Sequence, residues 1–139
     1  MNKELKKAII ISGIVIFATL ILCGCQGTEV EEDETNVFFE SDIVDLLDYD
    51  IEFNQNNNNE VNQVVVTGRI QNKLKKMIDL ELKADFYDKD DNYLGEKIFT
   101  IVGLRSIDNP GHSTTFTITY EDKTAKIVDY VRLTASEIW

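Results

Sequence analysis

At 139 residues, with 14 Lys and Arg against 25 Asp and Glu, the chain has room for one ordinary domain and is strongly acidic. That balance argues against nucleic acid and anionic lipid as targets, because phosphate recognition needs clustered Lys and Arg. The two cysteines, Cys23 and Cys25, stand one residue apart near the N-terminus, so no disulfide framework holds the remainder. The chain opens with Lys3, Lys6 and Lys7, followed by AIIISGIVIFATLIL, fifteen uncharged residues from Ala8 to Leu22. A bilayer-spanning helix needs about 20 apolar residues, so this run suits the apolar region of a signal peptide.

The residues that follow, Leu22-Cys23-Gly24-Cys25, lack the small-x-small pattern of an ordinary cleavage site. They resemble the bacterial lipobox, in which Leu, a variable residue and a small residue precede a Cys. The resemblance implies cleavage between Gly24 and Cys25 and a diacylglycerol on the Cys25 thiol. Cys23 has bulky Leu22 directly before it, which does not fit that pattern, and falls in the discarded peptide. The alternative is a single-pass signal anchor with two incidental cysteines, which the short apolar run disfavours. A Cys-x-Cys metal pair finds no second ligand cluster in the chain. Lipidation consumes the only thiol of the mature chain and predicts a cell-membrane location, lipid-anchored and facing outside the cytoplasm. The richness in Asn, Ile and Lys leans towards a low-GC Gram-positive source.

Residues 1–24 remove Lys3, Lys6, Lys7 and Glu4, leaving 11 Lys and Arg against 24 Asp and Glu. Residues 25–42 open as an acidic tether with Glu29, Glu31, Glu32, Asp33 and Glu34. Such a segment buries too little apolar surface to offset its ordering entropy and is expected to be disordered. The domain is expected over 43–139. Ser41 to Leu47 reads as a short capped helix or a lead-in strand. Leu47, Tyr49, Ile51 and Phe53 alternate with Asp48, Asp50 and Glu52, the pattern of a half-buried strand. The Asn54–Asn59 run is a polar loop tip, and Val61–Gln71 is a β-branched strand with Gly68 inside it.

The clearest strand follows, with Ile78, Leu80, Leu82, Ala84 and Phe86 on one face and Asp79, Glu81, Lys83, Asp85 and Tyr87 on the other. Asp88–Asn92 is a turn, Tyr93–Val102 a strand, and Asn109-Pro110-Gly111 lies in a longer connection. Phe116, Ile118 and Tyr120 alternate with threonines. A last strand within 128–138 turns Val131, Leu133 and Ala135 inward. Six to seven strands without a long helical period predict an all-β fold, an immunoglobulin-like antiparallel β-sandwich.

Gly68, Ile70, Asn72, Phe86, Tyr87, Asp88, Asn92, Leu94, Gly95, Pro110, Gly111 and Phe116 together resemble the FxLYD-type domain of bacterial surface lipoproteins. The stretch departs from that pattern at Asp91, where a turn Gly is common, and in Ala84–Asp88 at the namesake motif. The resemblance implies a small extracytoplasmic β-sandwich for adhesion, assembly or sensing, and implies no activity.

Asp88, Asp90 and Asn92 match the opening of a calcium loop and are weak metal candidates. Tyr93 and Phe99 occupy the positions where an EF-hand needs Gly and Glu, so no EF-hand forms. His112, the single histidine, is followed by Ser113, and neighbours in a strand face opposite ways, so they make no Ser–His pair. No phosphate loop, cofactor motif or paired-ligand spacing occurs. Tyr87 and Tyr130 fall on the outward register of their strands, either as packing or as a binding surface. The expected role is a non-catalytic, monomeric binding module without cofactor, held on the membrane by its lipid, whose partner is an extracytoplasmic protein or a cell-wall polymer. The alternative is an accessory or solute-sensing lipoprotein of a transporter or export system that binds calcium weakly.

Overall fold

The computed structural model describes residues 36–139. The cleavage and lipidation positions Gly24 and Cys25 lie outside the described residues. The strands are β1 (Val37–Glu40), β2 (Val44–Gln55), β3 (Val61–Asn72), β4 (Ile78–Tyr87), β5 (Tyr93–Leu104), β6 (Ser113–Tyr120) and β7 (Tyr130–Glu137). A 3₁₀ turn, Ala125–Ile127, precedes β7. They form a four-stranded sheet ordered β1-β7-β4-β5 and a three-stranded sheet ordered β2-β3-β6. The two sheets enclose one core, so the chain is a β-sandwich.

Alternation places the core as expected. Leu80, Leu82, Ala84 and Phe86 of β4 are fully buried, as are Val131 and Leu133 of β7, and Phe116, Ile118 and Tyr120 of β6 face them from the smaller sheet. Tyr120 stacks on Phe86 with ring centroids 4.3 Å apart, and its hydroxyl donates to the Leu94 carbonyl. Gly68 lies beneath the Phe116 ring; a Cβ there would come within 2.7 Å of both Phe116 Cζ and the Asp48 carbonyl oxygen.

Three expectations need correction. The ordered domain begins before residue 43, because Val37 and Phe39 of β1 insert into the core and the Val131 N–H donates to the Asn36 carbonyl at 2.8 Å. β1 pairs with β7 in parallel, so the larger sheet is mixed rather than wholly antiparallel. Of the two readings of Ser41 to Leu47 the strand holds, and Ser41 Oγ accepts from the N–H groups of Ile43 and Val44 to turn the chain into β2. The third concerns the face of β2. A bulge at Leu47, between the Leu46–Ile70 and Asp48–Arg69 pairs, puts Leu46 inward and Leu47 outside. Tyr49, Ile51 and Phe53 keep the inner side, yet Tyr49 and Phe53 are exposed, because the neighbouring edge of the opposite sheet, β1, spans only four residues.

The two hairpin turns share one construction. Asn56 Oδ1 accepts from the N–H groups of Asn58 and Glu60, and Asp88 Oδ1 accepts from those of Asp90 and Asn92. Asn59 and Asp91 take the same place in each, with φ of 59° and 63°. Left-handed backbone explains why Gly is common at the position Asp91 occupies.

Candidate functional site

β4 and β7 are neighbours, and their antiparallel register sets Tyr87 opposite Tyr130 on the outer face of the larger sheet. Tyr87 also faces Tyr93 on β5, across a one-residue bulge at Leu94. β1, on the other side of β7, adds Phe38. The four rings form a continuous row across all four strands. Centroid separations are 5.3 Å from Phe38 to Tyr130, 5.0 Å from Tyr130 to Tyr87 and 5.9 Å from Tyr87 to Tyr93. With strands about 4.8 Å apart, the row is about 14 Å long. Tyr87 and Tyr130 are half-buried, whereas the end members Phe38 and Tyr93 are 49% and 55% exposed.

The geometry decides what the row presents. Tyr87 and Tyr130 lie 7° from parallel, so each spends a ring face on the other. Phe38 and Tyr93 meet them at 84° and 70°. The Arg132 guanidinium carbon lies 5.6 Å from the Tyr87 centroid, a cation–π contact. Tyr130 Oη donates to Asp91 Oδ1 at 2.8 Å, which fastens the row to the Asp88–Asn92 turn. That hydrogen bond, with burial next, raises the Tyr130 pKa; burial and then Glu96 raise that of Tyr93, so both phenols are neutral and able to donate at physiological pH. Beside the row on the same face of β4, Lys83 pairs with the buried Asp85 at 3.0 Å, and its hydrogen bond to that carboxylate raises the Lys83 pKa.

Of the weak metal candidates, Asp88 and Asn92 come together as partners of one another. The Asn92 amide donates to both Asp88 oxygens, and this bond, with the N–H groups of Asn92 and Asp90, holds the Asp88 pKa below the ordinary carboxylate value. Asp90 contributes its backbone N–H to the turn and its carboxylate lies exposed. Among the described residues no group of three or more His, Cys, Asp or Glu is placed to hold a metal ion. His112 Nδ1 lies 2.7 Å from the Asn109 carbonyl oxygen, within its own loop.

Sequence reasoning placed Tyr87 and Tyr130 outward but did not pair them, and it missed Phe38, assigned to the tether, and Tyr93, read as the start of a strand. The signal was present only as aromatic residues flanking turns.

No protein-family model matches the chain, and a search of curated proteins found no match. Among solved structures the chain is similar to the crystal structure of Campylobacter jejuni cj0090, with a TM-score of 0.46 and 14% identity over 76% of this chain and 100% of that one.

Proposed function

We propose that this chain is an extracytoplasmic lipoprotein, anchored through a diacylglyceryl group on Cys25, whose β-sandwich binds a protein partner without catalysis. The anchor rests on the basic start, the fifteen-residue apolar run and the Leu22–Cys25 segment. The binding role rests on one observation, the row of Phe38, Tyr130, Tyr87 and Tyr93 beside Arg132 on the outer sheet face. Tyr and Arg dominate interface hot spots because each offers large rigid area with polar ends. A protein partner suits the row better than a cell-wall sugar polymer. Sugar rings stack on open aromatic faces, and here the central pair uses its faces internally.

The test is photocrosslinking in intact cells. A photoreactive residue at Tyr93 captures a discrete protein that one at Thr117, on the outer face of the smaller sheet, does not, and Phe38→Ala removes the product. Equal products from both positions, or adducts of glycan alone, contradict the reading.

A further inference from the structure

The four outer strands of the two sheets differ in how they protect their unpaired backbone groups. An open edge is a template for another strand, and natural sheets blunt it by brevity, charge or bulges. β1 is four residues long. β2 carries Asp45, Asp48, Asp50 and Glu52 along its solvent face, so self-pairing sets carboxylates side by side. β6 lies against β5 at one end through the Tyr120 hydroxyl on the Leu94 carbonyl. β5 is protected differently. Its pairing with β4 is regular from Gly95 to Ile101 and interrupted on both sides, at Leu94 and around Val102 and Gly103. Gly103 has φ of 71°, and its N–H is taken by Asp79 Oδ1 at 2.7 Å.

Between those interruptions lies a straight seven-residue edge whose midpoint is Ile98. Antiparallel self-pairing about that midpoint sets Ile98 against its own copy, Glu96 against Thr100, Lys97 against Phe99 and Gly95 against Ile101. No like charges stand directly opposite; the two Lys97 side chains meet only on the diagonal across the axis. The outward residues Glu96, Ile98 and Thr100 meet outward residues, and the inward ones meet inward ones. Ile98 is 51% exposed, and cross-strand β-branched pairs stabilise sheets. Among the described residues β5 is paired through its backbone with no strand other than β4.

We propose that a second copy of this chain docks on this edge, joining two larger sheets through β5 about a two-fold axis at Ile98. This replaces the monomer expected from the sequence. A seven-residue edge is a small interface, so the association is weak and concentration-dependent. It stands apart from the anchor and from the aromatic row, and can hold whether or not either reading does.

The self-opposed position supplies its own test. The full chain, in detergent micelles, is followed by sedimentation equilibrium from micromolar to millimolar concentration. Ile98→Glu and Ile98→Lys each place like charges across the axis and raise the dimer dissociation constant by about tenfold or more. An equimolar mixture of the two variants puts Glu against Lys and returns it to within about threefold of the native value. Both side chains stand in solvent, so unchanged circular dichroism and melting temperature show that the fold is intact. Val102→Glu, outside the regular run, leaves association unchanged. A native chain that stays monomeric at millimolar concentration overturns the proposal. So does a mixture that associates no better than its components, or a loss of dimer in Val102→Glu that Ile98→Glu does not show.

Discussion

Asn72 offers the sharpest test of how this sandwich holds its distal end together. It is fully buried at the last position of β3. Its Nδ2 lies 2.8 Å from the Lys76 carbonyl oxygen, 3.0 Å from that of Arg105 and 3.3 Å from that of Leu104, and its Oδ1 accepts from the Leu74 N–H at 2.8 Å. Two amide hydrogens serve three carbonyls, so one is shared. One side chain thus ties the β3–β4 connection to the end of β5. Asn72→Ala removes about three net hydrogen bonds at about 1 kcal/mol each and strips the Lys76, Leu104 and Arg105 carbonyls of their shared amide donor, for a total loss of about 3–5 kcal/mol. For a domain of this size that lowers the melting temperature by about 12–30 °C.

Asn72→Asp distinguishes the donor from mere volume. It keeps the acceptor for Leu74 but aims a carboxylate at three carbonyl oxygens. It is therefore less stable than Asn72→Ala at pH 7. Burial and the carbonyls raise the folded-state pKa of the new carboxyl above its unfolded value of about 3.9. For a raised pKa the protonated form favours folding, so the variant loses stability as pH rises through the folded-state value and recovers it in acid. Urea midpoints at pH 7 and pH 4 with unchanged m-values measure this. An Asn72→Ala loss under about 1 kcal/mol, or Asn72→Asp proving the more stable of the two at pH 7, refutes the reasoning.

Other consequences follow from single contacts. Gly68→Ala forces a Cβ against Phe116 Cζ and the Asp48 carbonyl oxygen, each at 2.7 Å, and costs about 1–3 kcal/mol by overpacking; adding Phe116→Leu recovers part of it in denaturant titrations. The lowered Asp88 pKa gives stability that is present above the ordinary carboxylate value and lost as pH falls through the folded-state one. Asp88→Asn therefore flattens the decline in melting temperature below about pH 4, whereas an unchanged slope removes Asp88 from the acid response. Tyr130→Phe frees Asp91 and eliminates the raised Tyr130 ionisation from an alkaline absorbance titration, while the fold persists.

What the sequence disclosed was whatever alternates locally. Ile78–Phe86 and Thr115–Tyr120 announced their faces because each stretch alternates apolar and polar residues. Val37–Glu40 did not, since V-F-F-E carries little alternation and follows an acidic run; only pairing with Val131, some 90 residues later, reveals it as a strand. The Leu47 bulge left no local mark, so Leu47 was assigned to the inner face of β2 in place of Leu46, while Tyr49, Ile51 and Phe53 were placed correctly. Residue spacing is silent on sheet order. Tyr87 and Tyr130 could be read as outward, yet only the β7-β4 adjacency makes them stack and brings Phe38 and Tyr93 into line. Asn72 was legible as the entry to a loop and not as its buried lock.

Intact mass spectrometry of the native protein extracted from cells interrogates the proposed anchor without intermediary. The account predicts a chain starting at Cys25 with a thioether-linked diacylglyceryl group, recovered with the membrane and converted by Cys25→Ala to an unprocessed form. A chain that retains Met1, or a Cys25 bearing a free thiol, contradicts it.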